Sequence, residues 1–160
     1  CPCGNLGDPR RECTCQPSQV QRYLGKVSGP LLDRIDMHME VPAVKYAELS
    51  STEPSGETSD VVRARVQKAR NIQRERFKGD SVRCNSHMGT RQVKKFCVAN
   101  DDAKELLKAA ILNLGISARA YDRILKVART IADLADSDII RAEHISEAIQ
   151  YRSFDRGLWR

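Results

Sequence analysis

Residues 117–134, SARAYDRILKVARTIADL, decide the fold. Ser117 stands where a helix N-cap belongs, and Ile116 and Tyr121 occupy the two positions of a hydrophobic staple around it. Tyr121, Ile124, Ala128, Ile131 and Ala135 then recur at helical spacing, so one stripe turns inward and the helix runs to about Leu134. A single amphipathic helix cannot bury its own stripe, and its neighbours supply the partners. Before it, Asp102 and Glu105 read as an acidic capping box ahead of Leu106, Leu107, Ala110, Ile111 and Leu114, with Gly115 suited to the position just past the C-terminus. After it, residues 142–151 offer Ile145, Ala148 and Ile149. Farther upstream, Ser59 to Phe77 places Val62, Val66, Ala69 and Ile72 on one face and basic residues on the others, and Thr90 opens a short helix to Phe96 after a loop at 78–89. Helices joined by short links predict a small bundle of four, with the short helix beside it.

The 160-residue chain is 41% hydrophobic and 5% aromatic, enough for a modest core. Charged residues make up 30%, and 27 Lys+Arg against 21 Asp+Glu leave a net charge of +6, which permits a nucleic-acid partner without demanding one. No apolar run reaches the 18 or so residues of a membrane span, and the chain begins Cys1-Pro2-Cys3-Gly4 with neither Met nor a signal peptide. A cytoplasmic piece of a longer protein is the expectation.

Outward toward the N-terminus, Ser18 and Gln21 suggest a capping box, followed by Val20, Tyr23, Leu24 and Val27 at helical spacing. Ser28-Gly29-Pro30 breaks that helix and opens one turn through Leu31, Leu32, Asp33 and Arg34. Ile35, Met37, Met39 and Val41 then alternate with Asp36, His38 and Glu40 until Pro42, a period-2 pattern that predicts a strand with the apolar set inward and His38 on the solvated face. The run SSTEPSGETS at 50–59 is polar and turn-rich. The expected organisation is therefore a strand-bearing segment at 1–49, a linker at 50–59, a helical domain at 60–152 and a tail at 153–160.

Cys1, Cys3, Cys13 and Cys15 form C-x-C-x9-C-x-C, two close pairs able to wrap four thiolates around one tetrahedral ion, which points to structural zinc. Disulfides or free thiols are the competing readings. Cys84 and Cys97 lack close Cys or His partners and read as small hydrophobes. On the basic helix, Arg63, Arg70 and Arg74 are the candidates for nucleic-acid contact, since six basic residues face Glu75 alone between 61 and 76. A merely solvated face competes, and with only Phe77 adjacent for stacking, any such contact is to phosphate.

The segments CPCG at 1–4, the second Cys-x-Cys at 13–15, SGPLLDRID at 28–36, GET at 56–58, SARAYDRILKVARTIADL at 117–134 and HISEAIQYR at 144–152, with Asp155-Arg156 beyond, resemble the magnesium-chelatase-related AAA+ ATPases of the YifB/ComM type. They follow the family's order over nearly the whole chain. The resemblance implies a mainly α fold: the end of an AAA+ core with a Cys-rich loop at 1–49, then a four-helix lid-type bundle. It also implies ATP and Mg as cofactors of the parent protein, a homo-oligomeric ring of hexameric type, and DNA-strand remodelling in recombination as the task.

ATPases of this class cradle phosphate in G-x-x-x-x-G-K-[ST], and no such run occurs here, so the fragment alone is expected to be inactive, with the loop upstream of Cys1. By resemblance, Arg34 in LLDRID corresponds to the arginine finger that reaches a neighbouring subunit's γ-phosphate, and Arg119 to the sensor-2 arginine acting on its own subunit's nucleotide. A planar, permanently charged guanidinium suits the first task, while a surface Arg paired with Asp33 or Asp36 is the plain alternative. Arg119 sits in the first turn of its helix, where a cation opposes the macrodipole unless an anion joins it. Asp122 departs from the His often found there in the family. Arg123 and Arg129 read as surface. Two rival functions stand beside the motor: a zinc-stabilised basic module binding nucleic acid or protein by itself, and a chelatase-type ATPase subunit that remodels a protein.

Overall fold

The computed structural model describes residues 1–39, 41, 42, 44, 46, 50 and 56–152. Among these the chain is mainly helical: α1 Pro17–Leu24, α2 Gly29–Leu32, α3 Ser59–Arg76, a 3-10 turn at Asn85–His87, α4 Thr90–Phe96, α5 Asp101–Leu114, α6 Ala118–Leu134 and α7 Ala142–Gln150. Helix α6 is the hub, packing against α3, α4, the 3-10 turn and α7, while α5 lies on α7. Ile124, Leu125, Ala128 and Ala132 of α6 meet Phe77, Met88, Val93, Ala103, Leu107, Ile140, Ile145 and Ala148 in one continuous core.

Each helix end has an identifiable cause. The Ser117 hydroxyl accepts from the Ala120 N–H at 3.2 Å and starts α6. Gly115 ends α5 in the left-handed region, φ +61°, donating its N–H to the Ile111 carbonyl at 3.1 Å. Two expected caps are corrected. The cap of α5 is Asn100, whose Oδ1 accepts from the Ala103 N–H at 3.0 Å, so Asp102 and Glu105 already lie inside the helix. Helix α1 begins at Pro17 rather than after Ser18, and the Gln16 N–H donates to Gln19 Oε1 at 2.9 Å, because proline at the first position needs no donor partner.

The expected strand does not form among the described residues, where the one β interaction is an isolated parallel bridge between Ala99 and Ile140. Ile35, Met37, Met39 and Val41 are exposed, and His38, assigned to the solvated face, is the half-buried residue. Alternation without a partner strand has no ladder to enter. The His38 N–H instead donates to the Tyr151 carbonyl at 2.6 Å. Glu40, half of the expected linker (51–55) and the tail at 153–160 with Asp155-Arg156 lie outside the described residues.

Two further corrections concern α3 and α6. Val62 and Val66 are exposed, and α3 buries side chains only from Ala69 onward, at Ala69, Gln73 and the Phe77 that follows. Arg129 is not surface but 1% exposed, inside the stripe. Asp133, fully buried, accepts from Arg129 Nε at 3.0 Å, from Arg76 Nη1 at 2.6 Å and from Asn85 Nδ2 at 2.8 Å. Arg129 also donates to the carbonyls of Ser137 and Asp138. Burial pulls the Arg129 guanidinium below its ordinary value, and the Asp133 charge opposes that. The network ties α3 to the last turn of α6.

Candidate functional site

The turn after α2 carries Asp33, Arg34, Ile35 and Asp36, and it is strapped onto the helical body. The Ser117 hydroxyl, while capping α6, donates to Asp33 Oδ2 at 3.0 Å. Asp36 is ion-paired with Arg123 one turn into α6. From just past α7, the nearly buried Arg152 donates to the Ile35 carbonyl at 2.9 Å and lies 3.8 Å from Asp33. With the His38 to Tyr151 bond, residues 33–38 are held by both the start of α6 and the end of α7.

This docking bears on the alternatives for Arg34. Both carboxylates that could neutralise it are engaged elsewhere, Asp33 by Ser117 and Arg152, Asp36 by Arg123. Arg34 is exposed and makes no ion pair among the described residues. Arg119 is also exposed, two residues beyond the Ser117 that anchors the strap, in the first turn of α6 where free backbone N–H groups favour an anion. The Asp33 to Ser117 bond thus joins the segments bearing the two arginines.

Arg123 and Arg152 were not legible as site residues. Arg152 closes the run HISEAIQYR, but nothing local marks a partner 117 positions away. His144, in the same run, is buried and its Nδ1 accepts the Arg141 N–H at 3.1 Å, so it caps α7. Burial is the main cause that lowers its pKa.

The four N-terminal cysteines come together, with all their Sγ atoms within 4.8 Å of one another, a group able to hold a metal ion. They are free thiols. Backbone N–H donation at Asn5, then the neighbouring Cys15 thiol, lowers the Cys3 pKa to about 6. Cys84 lies 3.2 Å from the Ser86 hydroxyl, and Cys97 is buried, its thiol pushed up to about 12 by desolvation.

On α3, acids take up much of the basic character. Arg65 forms a two-pronged pair with Glu57 at 2.9 Å, Lys68 meets Asp136 at 2.8 Å, and Arg76 belongs to the Asp133 network. Of the three candidates for nucleic acid, Arg63 pairs with Asp60 at 2.6 Å in full solvent, Arg74 donates to Asn71 at 3.2 Å, and Arg70 is exposed with no ion pair among the described residues. No described helix is long and apolar enough to cross a membrane.

Comparison with known proteins covers nearly the whole chain. Residues 56–152 match the family described as magnesium chelatase, subunit ChlI C-terminal, and residues 1–49 match magnesium chelatase, subunit ChlI. The chain is 42% identical over 142 residues to the uncharacterized protein YifB of Escherichia coli, covering 89% of this chain and 27% of that protein. It is 43% identical over 140 residues to the competence protein ComM of Haemophilus influenzae, covering 88% and 27%. An uncharacterized protein of Mycobacterium tuberculosis is 32% identical over 152 residues, covering 95% and 29%. The chain spans a little over a quarter of the length of the curated relatives it matches.

Proposed function

We infer the role of this chain from its family: it belongs to the magnesium chelatase ChlI family, as a ComM-like AAA+ member, and we propose that it is the finger-and-lid segment of a ring-forming, ATP-driven motor. The observation that carries this reading is the state of Arg34. Its neighbouring carboxylates are spent on the strap, so a permanently charged guanidinium stands exposed, without an ion-pair partner among the described residues.

In this reading Arg34 reaches the γ-phosphate held by the next subunit, where two N–H donors offset the charge that develops as the phosphoryl group leaves. Arg119, with the free N–H groups of the α6 N-terminus, meets the nucleotide of its own subunit and carries the lid with it. A head-to-tail ring supplies this geometry, since a heterologous interface sets one subunit's edge against its neighbour's site. Magnesium would neutralise phosphate charge, but no residue of this chain is assigned to hold it, and no step is derived through it.

The test uses the longer protein that carries this segment. Arg34→Ala should leave ATP binding intact and lower turnover on the order of 10³-fold, with partial recovery when mixed with a phosphate-loop variant, because some interfaces then pair an intact finger with an intact loop. Wild-type turnover in Arg34→Ala, or no recovery in mixtures shown to co-assemble, rejects the trans role. Arg119→Ala should uncouple nucleotide binding from lid movement, with no dependence on its neighbour.

DNA is the proposed substrate, supported by the exposed Arg70 and Arg74 and the weakly held Arg63 on α3 and by a relative named a competence protein. An exposed pair such as Arg63 with Asp60 yields readily to phosphate. Reversing all three charges should weaken DNA binding equally across sequences and flatten its salt dependence. Unchanged DNA binding would favour the chelatase-type reading, in which the motor remodels a protein.

A further inference from the structure

We propose that Cys1, Cys3, Cys13 and Cys15 hold one zinc ion as a four-thiolate site, and that this ion takes the place of an apolar core for the segment leading into α1. Four kinds of observation converge on it.

The sulfurs are already gathered. Cys1 and Cys3 Sγ lie 3.4 Å apart, and Cys13 Sγ lies 3.6 Å from each. Around a tetrahedral zinc with Zn–S near 2.3 Å, neighbouring sulfurs stand about 3.8 Å apart, so a small outward relaxation admits the ion. The chain geometry aims the first pair at one point. Gly4, at φ +83°, reverses the backbone directly after Cys3 and donates its N–H to the Cys1 carbonyl at 3.1 Å, a conformation a side chain would strain.

A backbone donor already faces the sulfur. The Leu6 N–H donates to Cys1 Sγ at 3.2 Å, the outer hydrogen bond that orients a thiolate ligand and moderates its charge. Finally, the segment has no apolar core of its own among the described residues. None of the side chains from 1 to 24 is buried, and α1 contributes none to any core. A stretch that folds without apolar burial gains from a cross-link, and four soft thiolates in tetrahedral reach suit zinc. The metal is independent of the nucleotide reading, since neither Arg34 nor Arg119 touches it.

The test is metal analysis of the reduced chain purified without chelator. One equivalent of zinc is expected, falling to background in Cys13→Ser/Cys15→Ser and staying at one in Cys84→Ser. Cobalt added to the metal-free protein should give the intense visible bands of a tetrahedral thiolate site, and zinc should bleach them. Alkylation read by mass supplies a check that needs no variant: zinc should shield four thiols in the wild type, and a chelator should expose them. Less than a few tenths of an equivalent overturns the proposal, as do iron in place of zinc, disulfides among the four cysteines in the reduced preparation, or full zinc in the double variant.

Discussion

Asp133 is a fully buried carboxylate that answers two guanidiniums, and its value lies in what its removal would strand. Asp133→Ala leaves the buried Arg129 and the half-buried Arg76 without their counter-charge and is expected to cost about 3–5 kcal/mol in urea unfolding. Arg34→Ala, on an exposed side chain, should change stability by no more than about 0.5 kcal/mol. The contrast separates structural arginines from the one proposed to meet ATP. His144 gives a pH signature. Its folded pKa lies below the ordinary 6.5, chiefly through burial, with Arg129 and Arg141 lowering it further and Glu143 and Glu147 opposing. As pH falls through 6.5 the unfolded chain takes up the proton first, so stability drops there and levels off below the folded value. Melting temperature should therefore fall as pH is lowered through 6.5. His144→Asn keeps an acceptor for the Arg141 N–H and should flatten that portion of the curve; an unchanged slope would assign it to other groups.

At the scale of elements, caps are where single changes count. Asn100→Ala removes the acceptor at the start of α5 and should cost about 1 kcal/mol by urea unfolding, whereas Asp102→Ala, inside the helix, should cost far less. Gly115→Ala forces an alanine into the left-handed region and should cost a similar 1 kcal/mol or so. The helices were legible because their stripes and stops are local: α6 starts one residue after Ser117, and α5 ends at Gly115. Choices among adjacent polar residues were not legible, since Asn100 and Asp102 can both cap and packing selects. The strand failed for another reason. Alternation at 35–41 is real, but a strand is defined by a partner strand, which is absent among the described residues, and the His38 N–H bonds to the end of a helix. Arg129 carried a readable signal, an Asp four residues on within an otherwise apolar stripe, which marks a buried pair. Arg152 and Arg123 gave none, because their partners are 87 or more positions distant.

For the molecule as a whole, residues 56–152 hold the core and should melt cooperatively as a separate fragment; an unfolded circular dichroism spectrum would show that the strap is needed for folding. Fastening of the strap is tested by exchange of charge: Asp36→Arg or Arg123→Asp alone should loosen residues 33–38, and the two together should restore them, read as amide protection at 35–39. The strap's fastenings also differ in kind from what holds the body. Asp36 with Arg123 is partly wetted, and Asp33 with Arg152 is long, whereas the core beneath is apolar. Ionic strength acts unequally on the two. Screening shortens from about 10 Å in 0.1 M salt to about 3 Å in 1 M, which weakens exposed pairs and leaves apolar burial intact. Raising salt should then loosen the Asp36–Arg123 fastening while helicity stays constant and the bonds to Ser117, Arg152 and Tyr151 persist, visible as faster amide exchange at 35–39. In the proposed ring, the segment bearing Arg34 would be tied to the helical body by one fastening that softens with the electrolyte around it and by others that do not.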